Sequence, residues 1–255
     1  MGLTKPIEQN KLSYQGTFMY LKNIIRGGMN MSIIYAMSDI HGCLYEFDQA
    51  LLLIDLSGDS KLVLCGDYVH GPDSFGVLDK IMELQYEYGS DKVIALLGNH
   101  EDMVMDGRWP ISGQGDEEDG DYEAKEERYL QWMQNLPRFY AEGNTIFVHA
   151  GIDEDLGEMW EYTDDFTFTE KFPPQTGSFS FGMNIVAGHV GTAEISEDAG
   201  FHDIYFDGEN HYYIDGTVLE SGMIPILKVD TEKDKYYRVT ESGAWIVLPY
   251  NEEYA

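Results

Sequence analysis

Apolar runs of strand length alternate with stretches of helical period in the order "SIIYAM", "YEFDQALLLIDL", "KLVLC", "SFGVLDKIMELQYEY" and "KVIALLG". The expected order is strand, helix, strand, helix, strand. A helix between successive strands carries the chain back across a sheet face, so this part is expected to hold a mostly parallel sheet. In the longest helical stretch, Val77, Leu78, Ile81, Met82 and Leu84 form a core-facing stripe, with Ser74 read as the N-cap.

From Asn144 onward the helical signal fades. The runs "NTIFVHA", "MNIVAGH", "DIYFDG", "HYYIDGT", "IPILKVD", "YYRVT" and "AWIVLPY" are separated by glycine, asparagine and aspartate, which reads as strands and turns in largely antiparallel pairing. Two sheets packed face to face with helices outside are expected. At 255 residues the chain is long enough for one large domain, placed at residues 31–255. Residues 1–30, polar and mixed, read as an appended or poorly docked tail. The acidic segment "SGQGDEEDGDYEAKEER", residues 112–128, lacks the glycine and terminal glutamate spacing of a calcium loop. It reads as a solvated insertion leading into a helix around "RYLQWMQNL".

The formal net charge of -30, from 46 acidic and 16 basic residues, opposes attraction to nucleic acid or to an anionic membrane face. An anionic substrate would need strong local positive charge, such as bound metal ions. The two cysteines, Cys43 and Cys65, form no disulfide framework and read as small buried residues. No segment reads as a signal peptide or membrane span, so a cytoplasmic protein is expected.

Five clusters share one pattern, an apolar strand that stops at polar, metal-competent side chains beside glycine. They are "SDIHG" (Asp39, His41), "CGDYVHG" (Asp67, His70), "LLGNHE" (Asn99, His100, Glu101), "VHAG" (His149) and "AGHVG" (His189). Taken singly, each aspartate reads as a cap or turn residue and each histidine as a hydrogen-bonded structural one. Together they hold five of the chain's 7 histidines. Ligand sites gather beyond the carboxyl ends of parallel strands, so the five can converge in space. His202 and His211 read as ordinary strand and turn residues.

In order and spacing these motifs resemble the calcineurin-like metallophosphoesterases, in particular their bacterial phosphoprotein phosphatase branch, whose pattern runs DxHG, GDxxDRG, GNHE, HAG or HGG, and GH. Here the same positions read "DIHG", "GDYVHG", "GNHE", "HAG" and "AGH". The resemblance implies a four-layer αββα sandwich of two mixed sheets with helices outside. It also implies two divalent metal ions, manganese, iron or zinc. Asp39 and His41 would ligate the first, Asn99, His149 and His189 the second, and Asp67 would bridge them. The implied chemistry is hydrolysis of a phosphate ester by metal-activated hydroxide attacking phosphorus in line, with His100 protonating the departing oxygen.

The chain departs from this pattern after Asp67. His70 stands where the family places an aspartate and an arginine, in a segment one residue shorter, and no arginine lies between His149 and His189, where Lys171 is the lone basic residue. Bidentate guanidinium contacts to phosphate are thereby lost, and a lysine does not reproduce them. His70 and Lys171 are candidates for substrate contact or for support behind the site. The leading expectation is a serine/threonine protein phosphatase-like enzyme acting on phosphorylated protein or a small phosphoester. The alternatives are a symmetrical diadenosine tetraphosphate hydrolase, suggested by "HAGI" and "GPDSFGVL", and a metal-binding homologue without catalysis.

Overall fold

In strand β1 (Ile33–Met37) successive side chains face opposite ways, and both sides are buried. Tyr35 and Met37 pack with Leu62, Leu64, Phe47, Val77, Leu78 and Ile81, while Ile34 and Ala36 pack with Val63, Ile94, Phe147, Val186 and Tyr212. A strand buried on both faces reads as a continuous apolar run, and that is why "SIIYAM" shows no polar alternation. Each of these fully buried large side chains contributes about 1.5–3 kcal/mol relative to exposure.

The computed structural model describes residues 32–111, 122–177 and 182–253. The expected tail at residues 1–30 lies outside them, as do residues 112–121 of the expected insertion. Among the described residues, β1 pairs in parallel with β2 (Lys61–Leu64), and β2 pairs in parallel with β3 (Val93–Ala95). Crossovers are supplied by α1 (Leu44–Leu51) and α2 (Ser74–Tyr88). The helix α3 (Asn99–Met105) follows β3, and α4 (Tyr122–Met133) follows in turn.

The second sheet begins with the antiparallel pair β4 (Phe139–Glu142) and β5 (Thr145–Val148). It continues through β6 (Asn184–Ala187), then β8 (His211–Tyr213), with β7 (Tyr205–Phe206) at its edge. The first sheet is completed by β9 (Leu227–Asp230), β10 (Lys235–Thr240) and β11 (Gly243–Ile246), all antiparallel, with β9 against β1. On the outer face of the second sheet, Ile146, Val148, Ile185 and Ala187 pack beneath Trp160 and Phe168. The result is the expected arrangement of two mixed sheets with helices around them.

Three local expectations are corrected. The second sheet is parallel at its centre, since β5 pairs with β6 and β6 with β8 in parallel, whereas largely antiparallel pairing was expected from Asn144 onward. The long connections after β5 and β6 carry the chain back across the sheet, which tight hairpin turns would not do. Asp73, not Ser74, caps α2, because its carboxylate accepts the Gly76 N–H at 2.9 Å. The fourth helix begins at Tyr122, within the stretch read as loop, where alanine, glutamate, lysine and arginine are strong helix formers.

Candidate metal centre

The loops leaving β1 and β2 are laced together by backbone bonds, Asp39 N–H to Gly66 at 3.1 Å, His41 N–H to Asp67 at 2.9 Å and Gly42 N–H to Tyr68 at 2.9 Å. Asp39, His41, Asp67, His70 and His189 all take left-handed backbone conformations, with φ between 43° and 66°. Aspartate and histidine tolerate that region better than branched residues, and its concentration here turns side chains back over the strand ends.

Asp67 lies at the centre. Its carboxylate is 3.8 Å from His41 Nε2, 3.7 Å from His100 Nε2 and 3.4 Å from His149 Nε2, and it accepts the His100 N–H at 3.0 Å. Two groups of potential metal donors share it: His41, Asp67 and His100, and Asp67, His149 and His189. The end of the Asn99 carboxamide is 2.9 Å from His149 Nε2 and 3.2 Å from His189 Nδ1. Asp39 lies 4.0 Å from His41 Nε2 and accepts the His189 N–H at 3.1 Å. The structure thus gathers all six residues expected as ligands, and it brings His100 beside His41.

Two of the imidazoles are held in a donor-ready tautomer. His41 Nδ1 is 3.1 Å from the Val69 carbonyl and His149 Nδ1 is 2.8 Å from the Cys65 carbonyl, so each Nδ1 carries the hydrogen and each Nε2 lone pair is directed toward Asp67. Among the described residues, the ion-pair partners of Asp39 and Asp67 are histidines alone. Burial, and then neighbouring Asp67, push the Asp39 carboxyl up to about 7; burial also lifts Asp67 well above the carboxylate range. Burial, followed by the surrounding histidines, drives His100 and His189 down to about 3. Carboxylates short of positive charge beside neutral imidazoles form a donor set that fits divalent transition metals.

Residues 33–220 match the calcineurin-like phosphoesterase family. The chain belongs to that family. Its metallophosphoesterases use divalent metal ions, which accords with the donor set. The chain is 36% identical over 126 residues to a symmetrical bis(5'-nucleosyl)-tetraphosphatase of Nitrosospira multiformis, covering 47% of this chain and 43% of that protein. A protein of the same description from Nitrosomonas europaea is 34% identical over 126 residues, covering 46% of this chain and 44% of the relative. The chain therefore spans less than half the length of these relatives. A solved cold-active protein tyrosine phosphatase shares the fold with a TM-score of 0.58 at 16% identity, covering 86% of this chain and 80% of that one. Among the described residues, no helix is long and apolar enough to cross a membrane.

Behind the six residues sits Glu101, fully buried, whose carboxylate accepts four backbone N–H groups: Asp67 at 2.9 Å, Tyr68 at 2.8 Å, Val69 at 3.3 Å and Gly98 at 3.1 Å. It holds the Asp67 loop in place. Burial, then the charge of Asp67, raise its carboxyl to about 7. In the sequence Glu101 is visible only as the last residue of "GNHE", with nothing to mark this role. Asp215 was missed too; it follows β8 beside a glycine, the signal used for the other clusters, and burial and Asp39 raise it to about 7.

His70 Nδ1 lies 2.6 Å from His100 Nδ1, so the two rings share one hydrogen. Burial holds His70 below the usual histidine pKa, which opposes its serving as a replacement positive charge. The Lys171 ammonium donates to the Ile152 carbonyl at 2.6 Å and sits 3.6 Å from Glu154, beneath the loop that follows His149. Glu154 in turn meets His211 Nε2 at 3.0 Å, and His211 Nδ1 meets Asp207 at 2.6 Å. His211 is thus a buried ion-pair residue in a strand, and it shares Glu154 Oε1 with Lys171. His202 Nδ1 bonds the Thr217 hydroxyl at 2.7 Å. Both cysteines are buried and free.

Proposed function

We propose that this chain is a phosphoester hydrolase with two divalent metal ions that cleaves dinucleoside polyphosphates symmetrically. The observation that carries the reading is the convergence on Asp67 of buried carboxylate, carboxamide and neutral imidazole donors from separate strand ends. Asp39 and His41 would hold one ion, Asn99, His149 and His189 the other, with Asp67 shared between them. When bound, manganese, iron or zinc supplies Lewis-acid polarisation of the phosphate and nucleophilic water at neutral pH.

The protein's own groups do the rest. His100 Nε2 faces the centre at 3.7 Å from Asp67 and gives a proton to the oxygen that departs from phosphorus. The burial and neighbouring histidines that disfavour its protonated form are opposed by the negative charge of a bound polyphosphate. His70 fixes the His100 ring through its shared hydrogen, and Lys171 supports the His149 loop. The curated relatives favour a dinucleoside tetraphosphate over a phosphorylated protein as substrate.

The test compares turnover of diadenosine tetraphosphate with that of a phosphoserine peptide on manganese-loaded protein. Faster release of two equivalents of adenosine diphosphate supports the reading. Faster peptide dephosphorylation replaces it with a serine/threonine phosphatase, and bound metal without turnover on either leaves a non-catalytic homologue. His100→Asn is expected to lower turnover while sparing metal content.

A further inference from the structure

Trp109 stands at the rim of the same centre. Its ring lies 5.1 Å from that of His70 and 6.3 Å from that of His100, both nearly perpendicular, yet the residue is 55% exposed. It is not a loose surface side chain. The chain turns sharply at Gly107 (φ 66°) after α3, and the Arg108 and Trp109 N–H groups both donate to the Met103 carbonyl, at 2.9 and 3.3 Å. The indole is thereby tied to the helix that carries Asn99 and His100. A large apolar ring left half in water adds little to the core, whereas a flat ligand laid against it would cover apolar surface at small entropic cost.

We propose that Trp109 is the stacking platform for a planar aromatic group, a nucleobase or a phenol ring, on the leaving side of the scissile bond. The assignment rests on the reading that His100 serves the departing oxygen, because a group released past His100 passes within a ring's breadth of the indole. Stacking needs a π-face and little else, so the platform selects for planar leaving groups without choosing among bases. It supplies apolar recognition where the family's phosphate-gripping arginines are missing. Trp109 thus acts on substrate binding, while His70 and His100 act on the chemistry.

The test uses manganese-loaded wild type, Trp109→Ala and Trp109→Phe with diadenosine tetraphosphate, tyrosine phosphate and serine phosphate. Trp109→Ala is expected to raise KM about tenfold for the planar substrate, to leave KM for serine phosphate unchanged, and to be largely rescued by Trp109→Phe. The arm that responds tells nucleobase from phenol. An equal loss on all three substrates, or no change on any, overturns the proposal. A second readout is quenching of tryptophan fluorescence by adenosine 5'-phosphate and by tyrosine, compared between wild type and Trp109→Phe. If the wild type hydrolyses no phosphoester but shows quenching that the variant lacks, the hydrolase reading and the leaving-side assignment fail, and Trp109 stands as a stacking site alone. If turnover is present and the quenching is the same in both, the platform fails and the hydrolase reading stands.

Discussion

Glu101→Gln removes one atom's worth of acceptor from a fully buried clamp. One carboxylate oxygen accepts Asp67 and Gly98, the other Tyr68 and Val69. In the glutamine an NH2 replaces one of these oxygens, so two buried N–H donors face another donor. Each such loss costs about 1–3 kcal/mol, or about 2–6 kcal/mol for the pair. Relief of a buried charge offsets part of this, leaving about 2–4 kcal/mol. At about 2–4 °C per kcal/mol for a domain of this size, Tm should fall by about 4–16 °C. Because the freed loop carries Asp67, metal content should fall with it. The assay is thermal unfolding followed by circular dichroism, paired with elemental analysis. A variant that melts within about 2 °C of wild type and holds the same metal would refute the clamp.

His70→Phe should lower kcat by about tenfold or more while metal content stays unchanged, and His70→Asp should keep most of the rate; steady-state kinetics on both checks this. Burial pushes His211 down, but its bonds to Asp207 and Glu154 outweigh that and raise it to about 9. A folded pKa above the unfolded value of about 6.5 means its stabilisation is complete below that pH and is lost as pH rises through 9. Urea unfolding across this window should show a downward slope that His211→Asn flattens. A Cβ on Gly188 would fall 2.0 Å from the Asp39 carboxylate and 2.1 Å from the Ser38 hydroxyl. Gly188→Ala should therefore reduce metal content without deleting a ligand, as elemental analysis would report.

The six ligand candidates were legible because each stands where an apolar strand stops, so that they can converge in space, and their expected roles came from the resemblance to the family. Glu101 was not legible, because three of its four partners are backbone N–H groups more than thirty residues upstream and leave no mark on side-chain spacing. Asp215 ended a strand like the others, but an aspartate before glycine also reads as a turn. The parallel centre of the second sheet was hidden because short strands bounded by glycine and asparagine look alike in either direction. His211 looked ordinary for a related reason. Burial of a charged strand residue is decided by Glu154 and Asp207, which come from other segments. His70 was visible as a departure from the family pattern, and only the structure shows that it lies against His100.

The central claim is that Asp67 joins two metal ions. Elemental analysis of protein loaded with manganese and freed of excess ion tests it most directly, on wild type, Asp67→Asn and His100→Asn. Two ions per chain in wild type and in His100→Asn, with at most one in Asp67→Asn, is the expected result. Undiminished metal in Asp67→Asn, or none in the wild type, would contradict it.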